Sequence, residues 1–139
     1  MRKDNAIRHQ QSRSKDVLSI RPVLNLDHNK SSDIETFQNI TLRPILKLQH
    51  PITLSLLNHS KHFPASIQKV EINDRISLDA FLKKFLTSNI KLRNKIIGII
   101  VGVMTEEEFS YYMDNSHELS KRIITMQLQR YSDTLRKSK

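Results

Sequence analysis

The sequence predicts an all-α fold: a small bundle of five or six helices behind an extended basic N-terminal arm. Three observations carry this. Only 2 Gly and 4 Pro occur in 139 residues, too few for a turn-rich β-sandwich or a Gly-rich phosphate loop. From residue 33 onward, apolar residues recur at three- and four-residue steps, the period of one helix face. Ser32-Asp-Ile-Glu35 and Thr105-Glu-Glu-Glu108 both match the capping box, in which a Ser or Thr side chain accepts the N3 amide and a Glu side chain reaches back. With 37% hydrophobic residues, the chain has material for one modest core.

Residues 1–32 carry Arg2, Lys3, Arg8, Arg13, Lys15, Arg21 and Lys30 against Asp4, Asp16 and Asp27. Their apolar residues show no sustained helical period, so the segment reads as a mobile basic arm that orders on a partner. The alternative is that Val23–Leu26 docks as an edge segment. The N-terminus has no apolar stretch resembling a secretory signal. The longest apolar run, Ile96–Met104, is nine residues, whereas a membrane span needs roughly 20. No membrane span is expected, and the expected compartment is the cytoplasm.

The helical domain is expected over 33–136, with a basic tail at 137–139. Its first helix runs from Ile34 to Leu42. Pro44 should push Arg43 out of the α region, so that either a new helix starts at Pro44 or one long helix kinks there. Beyond it, Ile45, Leu48, Ile52, Leu56 and His59 share a face that Pro51 interrupts. Ser60–Ser77 reads as a connection marked by His62-Phe63-Pro64 and Asn73-Asp74. Ser77 then caps a helix over Leu78–Leu86, with Leu78, Phe81, Leu82 and Phe85 on one side. Thr87-Ser88-Asn89 stop and restart the chain.

The next helix is predicted over Ile90–Met104, although its β-branched run also fits a buried strand. Helix is preferred because the polar residues before it keep helical spacing and no strand of similar strength exists to pair with it. Gly98 and Gly102 lie four apart on one face, and each costs a helix roughly 1 kcal/mol. Their pairing predicts close approach of another helix. Thr105 and Glu108 begin a helix carrying Phe109, Tyr112 and Met113, and Ser116 begins the last. In that last helix Leu119, Ile123, Ile124, Leu128, Tyr131 and Leu135 form the apolar stripe, and Arg136, Lys137 and Lys139 suit the negative end of its dipole.

Catalytic chemistry finds little footing. The absence of Cys removes thiolate metal sites and thiol nucleophiles. Six His are scattered; His59 and His62 are three apart but have no acidic neighbour, and a zinc site needs three or four ligands. His117-Glu118 opens like HExxH, but Lys121 stands where the second His belongs. Glu106, Glu107 and Glu108 are explained by capping and the helix dipole. No GxSxG, Walker, GxGxxG or EF-hand signature occurs. No metal and no cofactor are expected.

Charge says more. The 23 Lys+Arg and 14 Asp+Glu give a formal net charge of +9. Lys83, Lys84, Lys91, Arg93 and Lys95 form a basic stretch without an acid, and Glu106, Glu107, Glu108, Asp114 and Glu118 an acidic stretch without a base. With Arg136 and Lys137, the basic stretch is the candidate surface for nucleic acid or another anion, since phosphate neutralisation releases counterions. The expected function is non-enzymatic binding of a macromolecular partner, with RNA or a ribonucleoprotein one candidate, although no recognised RNA-binding motif and no basic–aromatic interleaving occur. Regulatory docking on another protein is one alternative, and a metal-dependent enzyme, implied by the resemblance described next, is the other.

The segments FQNITLRPILKLQ (Phe37–Gln49), IKLRNKIIGIIVGVMTEEEFSYY (Ile90–Tyr112) and Leu119-Ser-Lys121-Arg122 resemble a family of short proteins with an FQNxTLRPILKxQ segment. The resemblance covers about 34–131. Some members carry the label glyoxalase, which implies a metal-dependent enzyme of paired βαβββ units with His and Glu or Gln ligands; this chain shows neither those strands nor those ligands. Within the shared segment, Asn39 or Gln49 is expected to bond backbone groups freed by Pro44, and Arg43 to pair with a carboxylate.

Overall fold

The computed structural model describes residues 12–22 and 33–137; the Ser32 cap, the Val23–Leu26 segment and residues 138 and 139 lie outside that range. Every regular element is helical, and no strand occurs among the described residues. Helix α1 covers 12–20. Then come α2 (Asp33–Phe37), a π-helical segment (Gln38–Leu42), α3 (Arg43–Asn58), α4 (Phe63–Ile67), α5 (Arg75–Ser88), α6 (Ile90–Val101), α7 (Glu106–Asp114) and α8 (Ser116–Lys137). The architecture is the expected small helical bundle. Two helices come in addition: α1, in a segment read as having no helical period, and the short α4, inside the predicted 60–77 connection.

Pro44 does not break the helix, and Arg43 stays in the α region at φ −60°, ψ −48°. The chain absorbs the proline by widening ahead of it. The Arg43 N–H reaches five residues back to the Gln38 carbonyl, a π-type bond that relieves the clash a proline ring otherwise makes one turn back. Pro51 lies inside α3 without ending it. Both Pro51 and Lys47, the residue four earlier whose carbonyl loses its donor, are exposed.

Other boundaries move for local reasons. Helix α5 starts at Arg75, not Leu78, because Asp74 is the N-cap: its Oδ1 accepts the Ile76 N–H at 3.1 Å, and Ser77 Oγ donates to its Oδ2 at 2.7 Å. A carboxylate is at least as good an N-cap as a hydroxyl. Helix α6 ends at Val101 rather than Met104. Gly98 and Gly102 do not seat a helix crossing. A Cβ at Gly98 would meet nothing within 4 Å, and one at Gly102 would meet the Gly98 carbonyl oxygen at 3.1 Å. Both are exposed; Gly98 lies on the side of α6 opposite Leu92, Ile96 and Ile100, and Gly102 is the residue just past its end.

The core falls into two clusters. One joins Phe37, Leu42, Ile45, Leu46, Ile100, Met104, Tyr112, Leu119 and Ile123. The other joins Leu57, Phe63, Leu78, Leu82, Leu86, Leu92, Ile96 and Tyr131. Helices α3, α6 and α8 contribute to both and so tie the halves together. Phe63 explains α4. It is 2% exposed and sits with its ring centroid 5.4 Å from that of Phe85. Full burial of one such side chain is worth roughly 1.5–3 kcal/mol, enough to draw its short helix onto the body.

Candidate functional site

Helices α3 and α8 enclose a cleft of about 560 Å³ lined by Arg43, His50, Thr125, Met126, Gln129, Arg130, Asp133, Thr134 and Lys137. Its geometry follows from helical spacing on α8. Ile124, Leu128, Tyr131 and Leu135 turn into the second core cluster beside Leu78 and Leu82 of α5. That leaves Gln129, Arg130, Asp133 and Lys137 on a polar side facing α3. Tyr131 anchors the register, its hydroxyl donating to the Thr53 carbonyl of α3 at 2.6 Å in a fully buried setting.

The electrostatics of the cleft are strongly cationic. The Arg43 Nε–H donates to Asn39 Oδ1 at 2.9 Å, so the expected carboxylate partner is replaced by an amide that leaves the charge unmatched. Burial, and then the neighbouring Arg43 charge, lower the pKa of Arg130, with Asp133 opposing. Asp133 is committed elsewhere: its Oδ1 accepts from Arg136 Nη2 at 2.8 Å and from Gln129 Nε2 at 3.0 Å. His50 Nε2 lies 2.8 Å from Thr134 Oγ1, and its buried Nδ1 has no hydrogen-bond partner. Burial first, and the Arg130 charge second, push the imidazole pKa below its usual value. The neutral form of His50 is thereby favoured, and Arg43, Arg130 and Lys137 supply the positive charge of the cleft.

Asn39 and Gln49 do not bond backbone groups around Pro44. Asn39 holds Arg43, and Gln49 Nε2 donates to the Ile99 carbonyl at 3.2 Å, linking α3 to α6. Arg136 is paired to Asp133 at the edge of the cleft, and Lys137 lines it. Lys83 and Lys84 project from α5, and Lys91 and Lys95 from the solvent side of α6 with Asn94; Arg93 is half-buried. Among the described residues, all five ion pairs use arginine, every lysine is exposed, and no lysine is ion-paired. The sequence reading singled out the lysines but not His50 or Arg130. Arg130, Asp133 and Lys137 sit at one-face spacing, but Arg43 and His50 join them from more than seventy residues away.

A second polar centre sits at the start of α7. Thr105 Oγ1 accepts the Glu108 N–H at 3.1 Å, and the Thr105 N–H donates to Glu108 Oε1 at 2.9 Å, completing the predicted capping box. Arg21 then grips the same carboxylate from the N-terminal segment, Nη1 to Oε1 at 2.6 Å and Nη2 to Oε2 at 2.9 Å, and Thr41 Oγ1 donates to Oε2 at 3.0 Å. Arg13 donates to the Met104 and Gly102 carbonyls at 2.7 and 3.0 Å, capping the negative end of α6, and Ser14 donates to Glu106. Residues 12–22 are thereby seated on α6 and α7. The segment read as mobile is held here because two of its arginines meet carbonyls and carboxylates that no local pattern reveals.

No three His, Asp or Glu side chains group as a metal site among the described residues, and no helix among them is long and apolar enough to cross a membrane. Comparisons of the chain with protein-family models, with curated proteins and with solved structures found no match.

Proposed function

We propose that this chain is a non-enzymatic binding protein whose partner is RNA, engaged through its basic surfaces. One observation carries the reading: every described lysine is exposed and none is ion-paired. Holding like charges unneutralised on a +9 chain costs self-repulsion, and a polyanion relieves it while releasing counterions. Two of the α7 acids, Glu106 and Glu108, are taken up by the helix cap and the N-terminal segment. Few aromatic side chains are available for base stacking, so recognition rests on phosphate contacts and is weakly selective for sequence.

Fluorescence anisotropy with a labelled single-stranded RNA tests this. Five phosphate contacts imply a log–log salt slope of about −3.5, so affinity falls about 100-fold between 50 and 200 mM salt. Reversing Lys84, Lys91 and Arg93 to Glu together weakens binding and flattens the slope, with the helical circular dichroism unchanged. A flat salt response, or binding untouched by the triple reversal, refutes the assignment to this surface.

A further inference from the structure

We propose that the α3–α8 cleft is a seat for a phosphomonoester, the terminal phosphate of an RNA strand; this rests on the RNA reading above for the source of the phosphate, but not for the site. The cleft holds two guanidinium groups, Arg43 and Arg130, and the Lys137 ammonium, with one carboxylate, Asp133, already bonded to Arg136 and Gln129. Arg130 has no hydrogen-bond partner among the described residues, and its planar fork of N–H donors is half-buried beside a like charge. Such an arrangement is unfavourable until an anion enters.

The kind of anion follows from charge and shape. Counting the Asp133–Arg136 pair as neutral, three positive charges face the space. A bridging phosphodiester brings one negative charge and two free oxygens, and its chain must leave in two directions. A terminal phosphate carries close to two negative charges near pH 7 and three strong acceptor oxygens. It enters end-on, which suits a recess walled by two helices. Guanidinium forks pair with its oxygens two at a time. Thr125, Thr134 and His50 line the same walls and add polar side chains that carry no negative charge. The exposed lysines of α5 and α6 then serve the strand behind the end, which the cleft does not need to hold.

The test uses the full chain and one RNA sequence in three forms: 5′-phosphate, 3′-phosphate and hydroxyl at both ends. A phosphorylated end is expected to bind at least about tenfold tighter than the hydroxyl form, the worth of one charge-assisted contact. Arg130→Gln abolishes that preference, as does Arg43→Gln, whose side chain is exposed and bonds only the neighbouring Asn39. The triple reversal on α5 and α6 weakens all three forms and leaves the preference intact. Equal affinity of the three forms, with RNA bound, overturns the cleft proposal while the RNA reading stands. If no RNA binds, inorganic phosphate followed by the His50 ring resonances decides separately. Saturable shifts lost in Arg130→Gln keep the phosphate seat and overturn RNA as its source; no shift overturns both.

Discussion

Replacing Glu108 by Ala should be the most damaging single polar substitution in this protein, because one carboxylate serves three elements. It caps α7 through the Thr105 amide, receives Arg21 through two bonds, and accepts the Thr41 hydroxyl from the π segment. The Arg21 and Glu108 side chains are 6% and 16% exposed, so this is not a solvated surface pair. Losing the reciprocal cap costs about 1 kcal/mol. Losing the charged pair adds about 2 kcal/mol, at the low end for charge-assisted bonds because Arg21, just past the end of α1, can swing into water and undock residues 12–22. A total of about 3 kcal/mol corresponds to a Tm drop of about 10 °C for a chain of this length. Chemical denaturation of wild type, Arg21→Gln, Glu108→Gln and the double variant isolates the pair, with an expected coupling of about 2 kcal/mol.

The same carboxylate gives this contact an acid limit. Burial pushes the Glu108 pKa up, but the Arg21 bonds and charge, the Thr105 amide and the Thr41 hydroxyl together bring it below its ordinary value. A group with a depressed folded pKa stabilises the protein above its unfolded pKa, about 4.3 for Glu, and that contribution disappears as pH falls through the folded value. Protection against hydrogen exchange at residues 12–20, taken relative to the intrinsic amide rate at each pH, should therefore fall in acid before that of the core amides does, and Glu108→Gln should remove that difference. A coupling below about 0.5 kcal/mol, or protection at 12–20 that changes with neither pH nor the substitution, would refute the view that this pair holds the N-terminal helix.

Two further outcomes follow from the fold. Gly98→Ala should stabilise by about 0.5–1 kcal/mol, since the position is helical, exposed and open, whereas Gly102→Ala gains less or loses because its Cβ would press on the Gly98 carbonyl; thermal melts of the two variants check this, and destabilisation at Gly98 would restore a packing role. Incubation with Zn²⁺ or Ni²⁺ followed by desalting should leave no stoichiometric metal and no turnover of a glutathione hemithioacetal, and metal retention with turnover would overturn the non-enzymatic reading.

What the sequence determined by itself was local. The period of the apolar residues, the scarcity of Gly and Pro, and the Thr105–Glu108 box specify helices, because backbone bonds and caps close within a few residues of their own positions. Leu78, Leu82, Leu119, Ile123 and Tyr131 were legible as core for the same reason. Where a local rule had two solutions, packing chose between them: Pro44 and Pro51 both pass inside continuous helix, one behind a π segment and the other on the solvent side. The cleft and the N-terminal clasp belong to tertiary structure alone. Arg43 and His50 reach Arg130 and Lys137, and Arg21 reaches Glu108, only after α3, α7 and α8 have packed, and charge interactions between residues 80 or more apart leave no periodic trace in a chain.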